Sequence, residues 1–259
     1  MMDSSLQNAP EWFSSWFNHP FYLKLYSHRD EDEARMCVET ILRVALPETA
    51  EPSGFRIMDI ACGAGRHAIE FARKGFCVTA NDLSPYLMQC ARDQASTENL
   101  SMHCTERDMR DIEEQHTFHL VVQLFSSFGY FESEQDDRQV LDNVFHALLP
   151  GGRYVLDLIN AEYLKNKLCP HSRKAIDNLT VDEHRQIIGN RVIKDICITS
   201  PEETLEFQES VRLFEPAHIK TMLLEAGFEV EQVLGDYNGT PFSAAESPRM
   251  LIFCRKPSA

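Results

Sequence analysis

The run Ile57-Met58-Asp59-Ile60-Ala61-Cys62-Gly63-Ala64-Gly65-Arg66-His67-Ala68 constrains this chain more than any other stretch. A short apolar segment closes on an acid, two small residues and a Gly-x-Gly turn. An apolar, helix-compatible segment, His67 to Lys74, follows. The pattern reads as strand, tight loop, helix. Glycine has no Cβ, so a ligand can approach such a loop closely, and the helix behind it turns N–H groups and a positive dipole end toward the loop. The question this raises is which nucleotide-like ligand the loop holds.

The rest of the chain extends the same rhythm. Strands are predicted at Phe55–Ile60, Cys77–Asn81, Met102–Glu106, Phe118–Phe125 and Arg153–Leu158. Helices are predicted at His67–Lys74, Ser84–Asp93 and Asp136–Leu149, with Pro150-Gly151-Gly152 as a turn. This alternation predicts an α/β fold, a doubly wound Rossmann-like sheet that is mostly parallel. Upstream, aromatic residues from Trp12 to Phe17 and a helical periodicity over Phe21–Leu46 predict a packed cap. Downstream the rhythm breaks. Lys174–Asp182, Glu183–Ile188, Arg191–Thr199 and Thr204–Phe214 alternate in hydropathy, with Gly189-Asn190 as a hairpin signal, and predict an inserted antiparallel lid sheet. A helix over Pro216–Ala226 and an antiparallel C-terminal hairpin of Phe228–Leu234 and Arg249–Arg255 complete the order. The expected organisation is a helical cap (1–46), a cofactor-binding core (47–160), the lid (161–215) and a closing helix and hairpin (216–259).

Charge and composition narrow the function class. A net charge of −15 disfavours wrapping a nucleic-acid backbone, which needs a basic surface, and favours a small-molecule substrate. No apolar run approaches the roughly 18 residues of a membrane span. The N-terminus lacks a basic start followed by an apolar core, so no signal peptide and a cytoplasmic location are expected. The eight cysteines include no C-x-x-C pair, which fits reduced thiols and predicts no metal site. Assembly is left open, a homodimer included.

Gly63-x-Gly65-x-x-Ala68 fits a dinucleotide fingerprint, and Asp82 lies 19 residues after Gly63, where an acid can accept from ribose hydroxyls. By spacing alone, a nicotinamide dinucleotide and S-adenosylmethionine both fit. The alternatives are then a nicotinamide-dependent oxidoreductase and a cofactor-binding module without catalysis.

The surrounding residues carry a resemblance. Asp59-Ile60-Ala61-Cys62-Gly63-Ala64-Gly65 places an acid, not a glycine, in the strand end. Asn81-Asp82-Leu83-Ser84-Pro85-Tyr86-Leu87-Met88, Arg107-Asp108-Met109-Arg110-Asp111 and Leu149-Pro150-Gly151-Gly152-Arg153 follow in order. With these motifs the chain resembles the class I S-adenosylmethionine-dependent methyltransferases. Its Arg107 stands where the family's "GDMRD" segment has glycine. The resemblance implies S-adenosylmethionine as cofactor and assigns roles. The N–H groups around Gly63 and Gly65 would face the methionine part and Asp59 its ammonium. Asp82 would hold the ribose, Asp108 the adenine amino group, and the Met109 backbone the ring edge. Tyr26, Ala61, Arg66, Leu83 and Leu124 complete the implied cofactor set, and Arg29 would pair with the cofactor carboxylate.

Gln123-Leu124-Phe125-Ser126-Ser127-Phe128-Gly129-Tyr130-Phe131 lacks the Asn/Asp-Pro-Pro-aromatic signature of nucleobase amino-methyltransferases. It is similar to the Phe-Ser-Ser-x-Gly-Tyr segment of amino-sugar N-methyltransferases. This implies methyl transfer to a small acceptor, with nitrogen favoured. Tyr130 is the candidate catalytic residue, and Phe128, Tyr130, Asn160, Tyr237 and Arg249 are the candidate acceptor-side residues. His184 and His218 are weighed as bases for a hydroxyl acceptor, and neither is assigned.

Overall fold

The computed structural model describes residues 11–27, 31–46 and 50–258. Helices α1 (Trp12–Trp16), α2 (Pro20–Leu25) and α3 (Glu31–Ala45) precede the first strand. The single helix expected over Phe21–Leu46 is therefore two. α2 starts where the His19 ring accepts from the Phe21 N–H, with Pro20 at its first turn, and ends at Tyr26.

From Arg56 the chain alternates β1 (Arg56–Ile60), α4 (Arg66–Arg73), β2 (Cys77–Asn81), α5 (Pro85–Thr97), β3 (Met102–Thr105), β4 (Phe118–Gln123), α6 (Glu134–Ala147) and β5 (Leu148–Ile159). The glycines of residues 150–152 fall inside β5 and do not precede it as a separate turn. The backbone of this stretch is held by Lys256, whose carbonyl accepts from the Gly151 N–H while its own N–H donates to Gly152.

β6 (His171–Ile176), β7 (Leu179–Ile188), β8 (Arg191–Thr199) and β9 (Thr204–Arg212) follow a short helix, α7 (Ala161–Lys167), that no periodicity announced. The first lid turn falls at Asp177 (φ 53°), not between Asp182 and Glu183, so β7 runs unbroken through both expected segments. α8 (Pro216–Glu225), β10 (Glu229–Leu234) and β11 (Arg249–Arg255) close the order.

Seven strands form one sheet in the order β10-β11-β5-β4-β1-β2-β3, with β1 to β5 parallel and β11 antiparallel to both β5 and β10. The order reverses between β1 and β4, which opens a crevice at the carboxyl ends of those strands. The central strands are buried on both faces, as their apolar runs require: all of Ile57–Ile60 and Leu120–Gln123 is buried. Gly65 (φ 82°) lets α4 and α5 approach, since a Cβ there would lie 2.9 Å from that of Ala91. α5 is capped by Ser84, whose Oγ accepts from the Leu87 N–H.

Four strands form the second sheet, β6-β7-β8-β9. Trp16, 0% exposed, packs from α1 against Leu179, Val181, Ile196 and Ile198 of this sheet, so the cap and the lid share one small core. Arg191, at the β7–β8 turn, donates to the carbonyls of Gly129, Tyr130 and Phe131, tying the lid to the loop after β4.

Candidate functional site

Two cavities meet at the glycine loop. The smaller, about 310 Å³, lies over the ends of β1, β2 and β3; the larger, about 590 Å³, lies between the loop and the lid. Phe17, Tyr22, Ala61, Gly63 and Tyr130 border both.

Asp82, Leu83, Asp108 and Met109 line the smaller cavity. Asp82 is buried, and its carboxylate accepts from the N–H groups of Gly63 and Ser84, each at 2.8 Å. Burial pushes its pKa up, and those two N–H groups pull the other way. The Gly65 N–H donates to the Cys62 carbonyl at 3.0 Å. Both glycine N–H groups expected to face a ligand are therefore bonded within the protein. What Gly63 offers is room: at φ +60° no other described residue lies within 4 Å of where its Cβ would stand. Asp108 caps a single 3-10 turn and is gripped by Arg110, through the backbone N–H at 2.8 Å and the guanidinium at 2.6 Å. Met109 is buried beside Gln123, while Leu83 stands on the rim.

Asp59, Ala61, Arg66 and Leu124 line the larger cavity. The Asp59 Oδ2 is buried and has no hydrogen-bond partner among the described residues. Burial, with the Asp82 charge adding to it, pushes the carboxyl up to about 8, against the opposing Ala68 N–H and Arg66. Arg66 pairs with Glu33 at 2.7 Å and lies over the Phe125 ring at 4.5 Å. His67 is also buried, its Nε2 without a partner among the described residues, and burial holds its pKa well below the usual imidazole range.

The lid contributes Arg185, Val192, Lys194, Glu209 and Val211 to the same cavity. Glu209 is the centre of this wall. It accepts from Trp16 Nε1 at 2.8 Å and from the Tyr26 hydroxyl at 2.5 Å, and pairs with Lys194 at 2.6 Å. Lys194 also contacts the Tyr26 hydroxyl. Tyr26 thus joins the cap to the lid at the cavity wall. Sequence reasoning missed Lys194 and Glu209; opposite charges at cross-strand register, Lys194 with Glu209, were the available signal.

Tyr130 stands where the cavities meet, with the Trp12 ring edge-on at 5.0 Å and Phe17 at 5.6 Å. Arg249 lines the larger cavity and donates to Asp157 and to Ser126 Oγ, each at 2.8 Å. The other acceptor-side expectations need correction. Phe128 is core, 1% exposed against Phe214. Asn160 caps α7, and its amide donates to the carbonyls of Ala244 and Ser247. Tyr237 lies behind Arg249, its hydroxyl donating to Asp157 at 2.6 Å. None of the three lines either cavity. His184 is on the outer side of the lid and His218 pairs with Glu134 at 3.2 Å. Arg29 lies outside the described residues.

Asp157, which sequence reasoning also missed, bonds the loop after β4, Tyr237 and Arg249 without lining either cavity. It is fully buried, and its Oδ2 also accepts from the Phe125 N–H at 2.8 Å. Phe125 and Ser126 adopt φ of 61° and 64°, which non-glycine residues rarely do, and this ends β4 earlier than expected. The signal was an acid inside the apolar run Tyr154–Ile159, the same pattern as Asp59 in β1.

Comparison with known proteins fits this geometry. The family described as "Methyltransferase domain" matches residues 57–152. The putative methyltransferase YqeM of Bacillus subtilis (strain 168) is 28% identical over 244 residues, covering 91% of this chain and 94% of that protein. A dTDP-4-amino-2,3,4,6-tetradeoxy-D-glucose N,N-dimethyltransferase of Saccharopolyspora spinosa is 25% identical over 228 residues, covering 84% and 88%. The crystal structure of an S-adenosylmethionine-dependent methyltransferase from Clostridium acetobutylicum ATCC 824 shares the fold, with a TM-score of 0.77 at 16% identity, covering 92% of this chain and 96% of that one. An acid with one oxygen unbonded among the described residues, near an open glycine, and a second acid at the end of the next strand suit the ammonium and ribose of S-adenosylmethionine. The domain match, the relatives spanning most of the chain and the fold together identify this protein as a class I S-adenosylmethionine-dependent methyltransferase.

Proposed function

We propose that this enzyme methylates the nitrogen of a small amine-bearing acceptor held in the larger cavity. One observation carries the reading. That cavity is rimmed by Trp12, Phe17, Tyr22, Tyr26 and Tyr130, and among the described residues its acids are already committed: Asp59 to the cofactor ammonium in this reading, and Glu31 to an ion pair with Arg73 at 3.2 Å. His67 is buried and held well below the usual imidazole range, a poor base for a hydroxyl acceptor. Glu209 is engaged by Lys194, Trp16 and Tyr26. An amine needs no such base, only its neutral form, and aromatic faces attract its cationic form on arrival. The amino-sugar relative, an N,N-dimethyltransferase by name, supports the same choice.

When bound, the cofactor supplies an electrophilic methyl group on a sulfonium. In this reading Asp82 holds the ribose hydroxyls and Asp59 the ammonium. Asp108 and Met109 border the adenine, and Gly63 allows the close approach. Leu83 and Leu124 contribute apolar wall. Tyr130, at the junction of the two cavities, aligns the acceptor nitrogen and helps exclude water.

The test is a labelled-methyl screen against amines, amino sugars, carboxylates and phenols, run beside a titration with S-adenosylhomocysteine. Label in amines or amino sugars is the expected result, and Tyr130→Ala should lower kcat more than cofactor affinity. Label in phenols alone would overturn the nitrogen assignment. Cofactor binding with no transfer to any class would favour a non-catalytic module.

A further inference from the structure

We propose that His171, Asp182 and His184 form a site for one divalent transition-metal ion of the zinc class on the outer face of the lid. The sequence alone gave no reason to expect it: 13 positions separate the two histidines, and only the β6–β7 register brings them together.

His171 and His184 are directly paired across the two strands, and Asp182, two residues before His184, shares their face. Residues of the opposite face point into the fold: Ser172 and Arg185 bond there to the buried Glu183. The cluster is thus independent of the cavity, to which β7 contributes only Arg185 and β6 nothing. The imidazole rings stack with centroids 4.4 Å apart and planes 14° from parallel. Each Nε2 lies 2.9 Å from the same Asp182 oxygen, Oδ1. The other oxygen faces Arg173 at 3.9 Å.

Three donor atoms lie within 4.8 Å of one another. Two imidazoles and a carboxylate are the borderline donors that zinc takes, at about 2.0–2.2 Å each, which puts tetrahedral ligand atoms about 3.3 Å apart. The observed 2.9 Å spacings need only a few tenths of an ångström of opening. The fourth position is left to water or an outside ligand. The side chains are 52%, 29% and 64% exposed in chain order, so an ion reaches them directly from solvent. β6 is the edge of the lid sheet, so the ion would clip that edge to β7.

The test uses the full chain, stripped with a chelator, in a Cys77→Ser/Cys169→Ser background that removes the exposed thiols. Zinc is titrated by calorimetry and cobalt by visible absorption. One ion per chain is expected, with affinity reduced roughly tenfold or more in His171→Ala and in His184→Ala. The thermal midpoint should rise with zinc only when both histidines are present. S-adenosylhomocysteine affinity should be the same in all variants, which shows that they fold. No stoichiometric binding, or binding unchanged in the histidine variants, would overturn the site and leave a hydrogen-bonded His-Asp-His cluster.

Discussion

Arg249 on β11 donates through its Nε to Asp157 Oδ1 on the neighbouring β5, and the pair lies directly beneath the loop that follows β4. Asp157 Oδ2 accepts from the Phe125 N–H and the Tyr237 hydroxyl, so one buried carboxylate sets the loop, the arginine and the tyrosine together. Burial is the largest single effect on the Arg249 pKa and lowers it, but the charge and hydrogen bond of Asp157 together with Tyr237 and Cys37 hold the guanidinium above its usual value.

Asp157→Asn should therefore cost more than a surface pair. Arg249, with a side chain only 18% exposed, would be left without its fully buried counter-charge, and breaking a buried pair costs about 3–5 kcal/mol. Urea unfolding measures it. A loss below about 1 kcal/mol would mean that Arg249 finds another partner or reaches water.

Asp82→Ala should weaken S-adenosylhomocysteine binding by about 1–3 kcal/mol, the usual loss for charge-assisted hydrogen bonds. The substitution also releases the Gly63 N–H. Calorimetric titration of the folded variant reads the change, and an unaltered dissociation constant would contradict the ribose assignment.

Asp59 makes both stability and affinity depend on pH, in opposite senses. Its carboxyl is pushed up to about 8 in the folded protein, with burial the largest cause, whereas an unfolded aspartate titrates near 3.9. Between those values the folded state holds a proton that the unfolded chain has lost. The group's contribution to stability is complete below about 4 and falls as pH rises through 8, by at most about 1.4 kcal/mol per unit. An incoming ammonium favours the carboxylate, so S-adenosylhomocysteine should bind more tightly as pH rises from 6 to 8, by up to about tenfold per unit. Asp59→Asn should flatten both profiles. A wild-type dissociation constant that is level from pH 6 to 8 would argue against the Asp59–ammonium contact.

Gly63→Ala and Gly65→Ala should separate ligand space from packing. A Cβ on Gly65 meets Ala91 at 2.9 Å and carries a left-handed φ, so about 2–4 kcal/mol of stability should be lost. A Cβ on Gly63 meets no other described residue within 4 Å. That variant should stay within about 1–2 kcal/mol of wild type yet bind S-adenosylhomocysteine poorly. Thermal unfolding and titration together distinguish the two, and equal effects would mean that the loop shifts as a unit.

Legibility in the sequence tracked how local the determining interaction is. The strand-loop-helix around Gly63, the position of Asp82 at the end of β2, and the doubly wound order were readable because each rests on neighbours in the chain. Phe128, Asn160 and Tyr237 were misread because their directions are set by distant partners: Phe214, the carbonyls of Ala244 and Ser247, and Asp157. Lys194 and Glu209 escaped notice for a related reason. Charged residues on an alternating strand look solvent-facing until Trp16 and Tyr26 cover them.

The division between the two cavities has a consequence for how such an enzyme can diversify. Arg185, Val192, Lys194, Glu209 and Val211 touch the larger cavity and none touches the smaller. With the acceptor in the larger cavity, as proposed, rewriting one face of β7, β8 and β9 would redirect the enzyme to a new acceptor while the strand ends beside Asp82 and Asp108 stay untouched. Changes at Ala61 or Gly63, which border both spaces, have no such freedom: on the same assignment they would alter donor and acceptor at once.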